Sequence, residues 1–510
     1  MDYISLLQSE MRPAFGCTEP IALAYAAAKA VSVLDEFPNH IHARCSANII
    51  KNVKSVVIPN SGGRKGLQAA ATLGAIVGHP ERELEVLESA TDEDRKWLGT
   101  LLDANFCTVS LAEGVDNLYI EITAETDEHT AVVRIENDHT NVTYVAVDGE
   151  IVSETINEIK KVAKTEYAMT FDSIYEFSKT ADISGIIPQI KQQVEYNTAI
   201  SREGLSNDYG SNIGQLLLLD EENPSLETKC KARAAAGSDA RMSGCPLPVV
   251  ICSGSGNQGL TVSVPIITTA EELGKSDDEL YRALVFANLL TLYVKSGIGK
   301  LSAYCGVVSA GVVSVAGIAF LKGDSKDIIE NTLVNGLASL SGIVCDGAKP
   351  SCAGKIAISL DGAFMGYKQA LIQNQIVSSE EVDSYIEEHS FLHNIEKYIL
   401  ANEITEIVKI LKSKKLPEVL ICANDSNAFA VISALKDMGL KIPEDIGVTG
   451  FDDTPLCEKA NPQITTVQVQ KELMGQVAVS NLMDRIHRKE NTPMTQLLSV
   501  KIVERASLKL

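Results

Sequence analysis

The chain is 510 residues long, enough for roughly three domains whose cores need no disulfide or metal staples. A hydrophobic fraction of 45% against 22% charged residues marks a globular composition and excludes a disordered one. The formal net charge of −22 is spread along the chain and repels phosphate backbones, which sets nucleic acid aside as a partner.

The opening Met1-Asp2-Tyr3-Ile4 has no basic segment ahead of an apolar core, which argues against a signal peptide. Residues 6–34 read as helix, rich in alanine after Pro20. Residues 42–58 alternate in the manner of a strand and end at the glycine turn Asn60-Ser61-Gly62-Gly63. A helical stretch, 66–78, and a charged one, 81–102, follow. Three alternating runs come next, at 118–122, 131–135 and 142–147, with Asp148-Gly149 supplying a hairpin turn before Ile151-Val152. Together these predict an α+β subdomain at 42–152, inserted into a chain that is otherwise helical.

Residues 155–360 read as mainly helical, broken by glycine loops at 253–259 and 296–299. The 21-residue stretch 301–321 carries no charge, but its serines and glycines suit a helix packed deep in a protein interior better than one facing lipid. Beyond 361 the style changes. Helices at 362–373 and 395–413, strand 418–422, helix 428–438, strand 447–451, helix 471–487 and a closing strand near 498–504 alternate as in a doubly wound α/β layer. Eleven cysteines without a secretion signal point to a reducing, cytoplasmic setting, where thiols act as core residues, ligands or nucleophiles.

Three cysteines are flanked by glycine: Cys17 in Phe15-Gly16-Cys17-Thr18-Glu19-Pro20, Cys305 in Ala303-Tyr304-Cys305-Gly306, and Cys345 in Ile343-Val344-Cys345-Asp346-Gly347. Cys352 follows shortly after. Each is either a ligand beside close-approaching backbone N–H groups or a small apolar core residue. Ser253-Gly254-Ser255-Gly256-Asn257-Gln258-Gly259 is likewise either an anion-binding nest or an ordinary helix entry, and Pro59-Asn60-Ser61-Gly62-Gly63 carries the same two readings. The eight histidines show no metal spacing. Glu19, Lys295, Lys300, Asp346 and Lys349 lie near these glycine segments, as bases or as solvated caps.

Taken together and in order, these motifs, ending in Gly342-Ile343-Val344-Cys345-Asp346-Gly347-Ala348-Lys349-Pro350-Ser351-Cys352, resemble the L-cysteine desulfidase family, a relative of the iron–sulfur L-serine dehydratases of alpha-chain type. The resemblance covers about residues 1–360. It implies a [4Fe–4S] enzyme, without pyridoxal phosphate, that converts L-cysteine to pyruvate, ammonia and hydrogen sulfide; L-serine dehydration by the same mechanism is the alternative. The ligands it implies are Cys17, Cys305 and Cys345, with Cys352 in reserve. The substrate-binding set would be Thr18, Asn60, Ser61, Gly62, Ser255, Gly256, Asn257 and Gln258, and the base candidates are Lys300, Lys349 and Glu19. The expected partner is a small amino-acid substrate, with no nucleic acid and no membrane; homo-oligomerisation stays open.

The remainder, about 361–510, resembles the sensor domain of lactose/galactose-repressor-type regulators through Cys422-Ala423-Asn424-Asp425, the run 440–453 and Gln463-Ile464-Thr465-Thr466-Val467. The resemblance would put Asn424, Asp425 and Asp452 along an effector cleft. Only the C-terminal, periplasmic-binding-protein-like lobe is represented, so the closing strand at 498–504 is expected to lack its usual partner. The expected organisation is a helical lyase domain (1–41 and 153–360), an inserted α+β subdomain (42–152) and a doubly wound α/β half-domain (361–510). The join at 359–362 reads as a fusion of two truncated pieces, with an activity that loss of the last catalytic helices would impair. The reading from another class is a non-catalytic ligand-sensing or dimerising module.

Overall fold

The computed structural model describes residues 2–154, 169–219, 221–296, 298, 301–302, 304–340, 342–372, 383, 419–422, 424–471, 473–476, 480 and 500–508. The expected helices at 395–413 and, for the most part, 471–487 lie outside the described residues, as does Lys300. The chain divides into two compact units, Met1–His393 and Asn394–Leu510.

The first unit opens with α1 (Tyr3–Glu10), β1 (Pro13–Phe15) and α2 (Thr18–Leu34), so the helix expected over 6–34 is interrupted. Pro13 has no N–H to give a helix, and Gly16 sits at φ +81°, which lets the chain turn sharply before α2. Next come β2 (His40–Cys45) and α3 (Ala47–Val53). The strand expected over 42–58 stops early because Ser46 caps α3, its hydroxyl accepting from the Ile49 amide. Then follow α4 (Gly66–Val77), α5 (Asp92–Asp103), β3 (Cys107–Leu111), β4 (Tyr119–Glu125), β5 (Thr130–Glu136), β6 (Val142–Val147) and β7 (Glu150–Glu154). The six strands form one sheet in the order β3-β2-β4-β5-β6-β7, antiparallel except for β2 with β3. Asp148 (φ +52°) and Gly149 (φ +81°) make the tight turn between β6 and β7, as their sequence requires.

The sheet buries alternate residues beneath α2, and its side chains merge with those of the helices in one continuous core. The helical part comprises α6 (Phe171–Thr180), α7 (Ile187–Ser206), α8 (Ile213–Leu218), α9 (Leu226–Met242), α10 (Gly256–Leu273), α11 (Asp277–Ser296), α12 (Val307–Lys322), α13 (Lys326–Leu340) and α14 (Ser351–Leu371), with the short strand β8 (Pro248–Val250) ahead of α10. The uncharged stretch becomes α12, buried on nearly every side by α10, α11, α13 and α14. Its glycines permit that approach: Gly311 packs on Ser359, and Gly317 on Ile266 and Ala287. Among the described residues no helix is long and apolar enough to cross a membrane.

Helix α14 runs unbroken through the join expected at 360/361 and packs on α9, α12 and α13, so the first unit continues past that point. Its buried face, including Ile356, Leu360, Phe364 and Tyr367, belongs to the first core.

The second unit has a separate core built from Leu420, Cys422, Val431, Leu435, Ile446 and Val448. Strand β9 (Val419–Ile421) pairs in parallel with β10 (Gly447–Thr449), and α15 (Asp425–Asp437) connects them as a βαβ unit. Beyond α16 (Leu456–Lys459), β11 (Thr466–Gln468) pairs antiparallel with β12 (Lys501–Val503). The closing strand therefore pairs within its own unit. Ser507 fixes it there: its hydroxyl donates to Val448 O at 2.6 Å and accepts from the Thr465 amide at 2.8 Å.

Candidate active site

Two backbone clips gather the sequence-distant motifs. Strand β1 pairs antiparallel with β8, Phe15 opposite Pro248 and Pro13 opposite Val250, which sets Cys17 beside the glycine loop that follows β8. Tyr304 and Val344 form an antiparallel bridge, and the Cys305 amide donates to Ile343 O at 2.7 Å, which lays the Cys305 and Cys345 segments side by side. Gly347, at φ +94°, tucks against the backbone of Lys51, and this brings the end of α3 and its Asn52 to the same place.

The result is a cavity of about 80 Å3 lined by Cys17, Cys305, Cys345 and Cys352, together with Glu19, Asn52, Arg241, Ser255, Asn257, Gln258 and Lys295. Four helices start at it. Cys17 is the N-cap residue of α2, Ser255 of α10 and Gly306 of α12, while Cys352 lies in the first turn of α14. Their unsatisfied N–H groups and partial positive charges favour anions there.

Glu19 is buried in the wall. It accepts from the Cys17 thiol at 3.0 Å, the Thr18 hydroxyl at 3.2 Å and the Asn52 amide at 2.9 Å. Burial pushes its carboxyl up, but His139, the Cys17 hydrogen bond and Arg241 together bring it below the usual carboxylate range, so Glu19 is ionised at neutral pH. Burial, reinforced by the Glu19 charge, drives the Cys17 thiol well above the ordinary range. Burial, with Cys345 and Cys352 adding to it, pushes Cys305 up to about 12, and burial raises Cys352. Such thiols keep their protons unless a cation displaces them, which metal binding does outright.

Among the described residues, no three His, Cys, Asp or Glu side chains gather closely enough to hold a single metal ion. An iron–sulfur cluster takes one thiolate per iron, so its thiols surround the group and do not converge on one point. Thiols from four segments around one cavity, ringed by helix N-termini, fit that kind of group.

The motif residues separate clearly in space. Ser255, Asn257 and Gln258 line the cavity, and Gly256 packs beneath the Arg241 guanidinium. Thr18 stands one step back, donating to Gly254 O at 3.1 Å. Asn60, Ser61 and Gly62 are not brought to the wall. Asn60 donates to Leu87 O and Glu88 O, both at 3.1 Å, and Ser61 to Ile58 O at 2.7 Å, while Pro59 fills the space beside Gly16. Their turn supports the Cys17 segment from behind. Lys349 pairs with Asp346 at 3.0 Å and is not among the lining residues; of the two base candidates among the described residues, Glu19 is the one at the cavity.

Arg241 and Asn52 were not singled out by their sequence motifs. Arg241 is 2% exposed; its Nε donates to Gly16 O and its Nη1 to Asn257 Oδ1, both at 3.1 Å, so one guanidinium ties the Cys17 turn to the glycine loop. The available signal was an arginine closing the run of small residues Ala234-Ala235-Ala236-Gly237-Ser238-Asp239-Ala240-Arg241, all of it buried.

In the second unit the expected effector residues serve the lobe itself. Asn424 caps α15, accepting from the Asn427 amide at 2.9 Å. Asp425 is 1% exposed and accepts from the Thr454 amide and the Thr466 hydroxyl, each at 2.6 Å. Asp452, on the lobe's surface, faces Lys471 at 4.0 Å.

Residues 81–394 match the family model for the serine dehydratase alpha chain, more than half of the chain. The chain belongs to that family. A UPF0597 protein of Finegoldia magna is 46% identical over 368 residues, 72% of this chain and 88% of that protein; one of Desulfitobacterium hafniense is 45% identical over 367 residues, 72% and 85%. The serine dehydratase-like region therefore reaches beyond the 360 residues expected and spans most of these relatives. Residues 365–508 match the model of a periplasmic binding protein-like domain. Among solved structures, the Lac repressor bound to ONPG in its repressed state is 29% identical over 20% of this chain and 31% of that one, at a TM-score of 0.20. A LacI-type regulator from Bifidobacterium animalis is 21% identical over 25% and 51%, at 0.21. The chain spans about a third to a half of the length of those proteins, and the nature of the second unit rests on the family match.

Proposed function

We propose that this serine dehydratase-like protein is a β-eliminating lyase that converts L-cysteine and water to pyruvate, ammonia and hydrogen sulfide. The observation that carries this reading is the meeting of Cys17, Cys305, Cys345 and Glu19 on one cavity wall. Cys17, Cys305 and Cys345 would hold a [4Fe–4S] cluster, with Cys352 in reserve. Such a cluster, held by three thiolates, supplies a Lewis-acidic iron for the departing β-substituent.

The protein's own groups do the rest. The N–H groups at the start of α10, with Asn257 beside them, orient the substrate carboxylate and stabilise charge that develops during elimination. Glu19 takes the proton from Cα as the β-substituent leaves with its electron pair. The aminoacrylate so formed tautomerises and hydrolyses to pyruvate and ammonia. L-serine, which loses water in the same step, is the second reading, and the description of the matching family favours it.

Anaerobic purification followed by iron and acid-labile sulfide analysis tests the cofactor. Pyruvate and sulfide release from L-cysteine, beside pyruvate release from L-serine, then tests the reaction. A brown protein that releases sulfide supports the proposal. Turnover of L-serine alone replaces it with the second reading, and a colourless protein inactive on both ends it.

A further inference from the structure

Three buried polar atoms on residues lining the cavity have no partner in the protein: Nη2 of Arg241, Oδ1 of Asn52 and Oε1 of Gln258. An unpartnered buried polar atom costs about 1–3 kcal/mol, so three on the residues around a space of about 80 Å3 mark a place for a polar ligand, with ordered water as its stand-in when empty. The amide orientations follow from their surroundings. Asn52 Nδ2 donates to Glu19 Oε1 at 2.9 Å and Gln258 Nε2 to Ser253 O at 3.5 Å; flipping either amide would set oxygen against oxygen. The other two guanidinium nitrogens of Arg241 are committed to Gly16 and Asn257. Besides Glu19 and Lys295, the cavity wall thus carries one unpartnered cationic donor and two unpartnered neutral acceptors.

That set complements a particular ligand chemistry. A carboxylate accepts from a guanidinium, and an ammonium has three protons to donate and nothing to accept. We propose that the cavity recognises the α-amino-acid zwitterion as a whole, Arg241 taking the carboxylate and the amide oxygens of Asn52 and Gln258 taking the α-ammonium. This deepens the proposed function and rests on it for the identity of the site. The arrangement excludes hydroxy or thio acids without the amine, which leave two buried acceptors unpaired, and amines without the carboxylate, which leave a buried cation unpaired. Two glycines make room for the recognising groups: a side chain at Gly256 would run into the Arg241 guanidinium, and one at Gly306 into the Gln258 amide.

Calorimetry on the anaerobically purified full chain tests this with L-alanine, which has both charged groups and no leaving group, beside propionate and ethylamine. L-alanine should bind at least about tenfold more tightly than either fragment. Gln258→Met and Asn52→Leu should each weaken L-alanine about tenfold and leave propionate unchanged, whereas Arg241→Lys should weaken both acids. Equal binding of L-alanine and propionate by the unaltered protein overturns the proposal, and that comparison needs no variant to fold. Unchanged L-alanine binding in folded Gln258→Met and Asn52→Leu also overturns it. Zwitterion-selective binding without elimination from L-cysteine or L-serine would remove the reaction and keep the recognition; elimination without that selectivity would do the reverse.

Discussion

Each unit sets an arginine among polar neighbours, Arg241 buried and Arg505 partly so, and the two are used differently. Arg505 in the second unit donates to Ile464 O at 3.1 Å and to Asp453 at 2.8 Å, beside Asp425 with both carboxylate oxygens engaged. Arg241 in the first unit keeps one nitrogen without a partner, on a wall where two amide oxygens are also unsatisfied. Among the described residues the second unit leaves one such atom nearby, Thr454 Oγ1, whereas the first gathers three on the residues around one cavity, and a group of that kind is where a ligand can bind. The contrast assigns chemistry to the first unit, although the sequence of the second carries equally recognisable motifs.

The sharpest way to break that comparison is to remove thiols from each unit. Cys17→Ala, Cys305→Ala and Cys345→Ala should each abolish the visible chromophore and the lyase activity, whereas Cys422→Ala and Cys457→Ala in the second unit should leave both unchanged. Absorption spectra and iron analysis read this directly. Full retention of colour in any of the first three removes that residue from the ligand set. Next in size, Glu19→Gln should lower kcat by about 10²–10⁴-fold with iron content preserved, as expected for loss of a proton acceptor. A kcat within a few-fold of the unaltered protein would transfer that role elsewhere.

Asp425→Ala should leave kinetics and colour intact and destabilise the second unit by about 1–3 kcal/mol, since it orphans the Thr454 amide and the Thr466 hydroxyl. Hydrogen exchange of α15 measures this, and faster exchange in α2 or α12 would contradict it. The smallest effect concerns Glu330, whose burial raises its carboxyl to about 7 despite Lys326 at 3.6 Å. Because the folded state holds this proton more tightly than the unfolded chain, the stabilisation is full below about pH 4.5 and is lost as pH rises through about 7. Glu330→Gln should therefore raise the melting temperature at pH 8 by a few degrees and change it little at pH 5. An equal change at both values would mean that ionisation is not involved.

The motifs around Cys17, Cys305 and Cys345 were legible because glycine beside cysteine is a local feature, and so was the Asp148-Gly149 turn, whose positive-φ backbone those residue types favour. The fate of Asn60 and Ser61 was not legible. Their motif resembles a binding loop, but both side chains are spent on nearby carbonyls while Pro59 fills the space beside Gly16. The join near residue 360 agrees with the start of the second family match at 365, while the first compact unit runs past it. A change of compositional style marks where one sequence pattern ends, whereas α14 runs through that point to Leu371 and packs on α9, α12 and α13.

Residue type and short-range order by themselves determined the strand and helix patterns, the burial of α12 and the set of thiols from which ligands would be drawn. Only the tertiary structure decided which polar groups share a space, because the β1–β8 pairing and the Tyr304–Val344 bridge join segments hundreds and tens of residues apart. The unpartnered nitrogen of Arg241 is visible only there. Whether a buried hydrogen-bonding atom is satisfied depends on what the fold places within about 3 Å of it, and no local pattern records that distance.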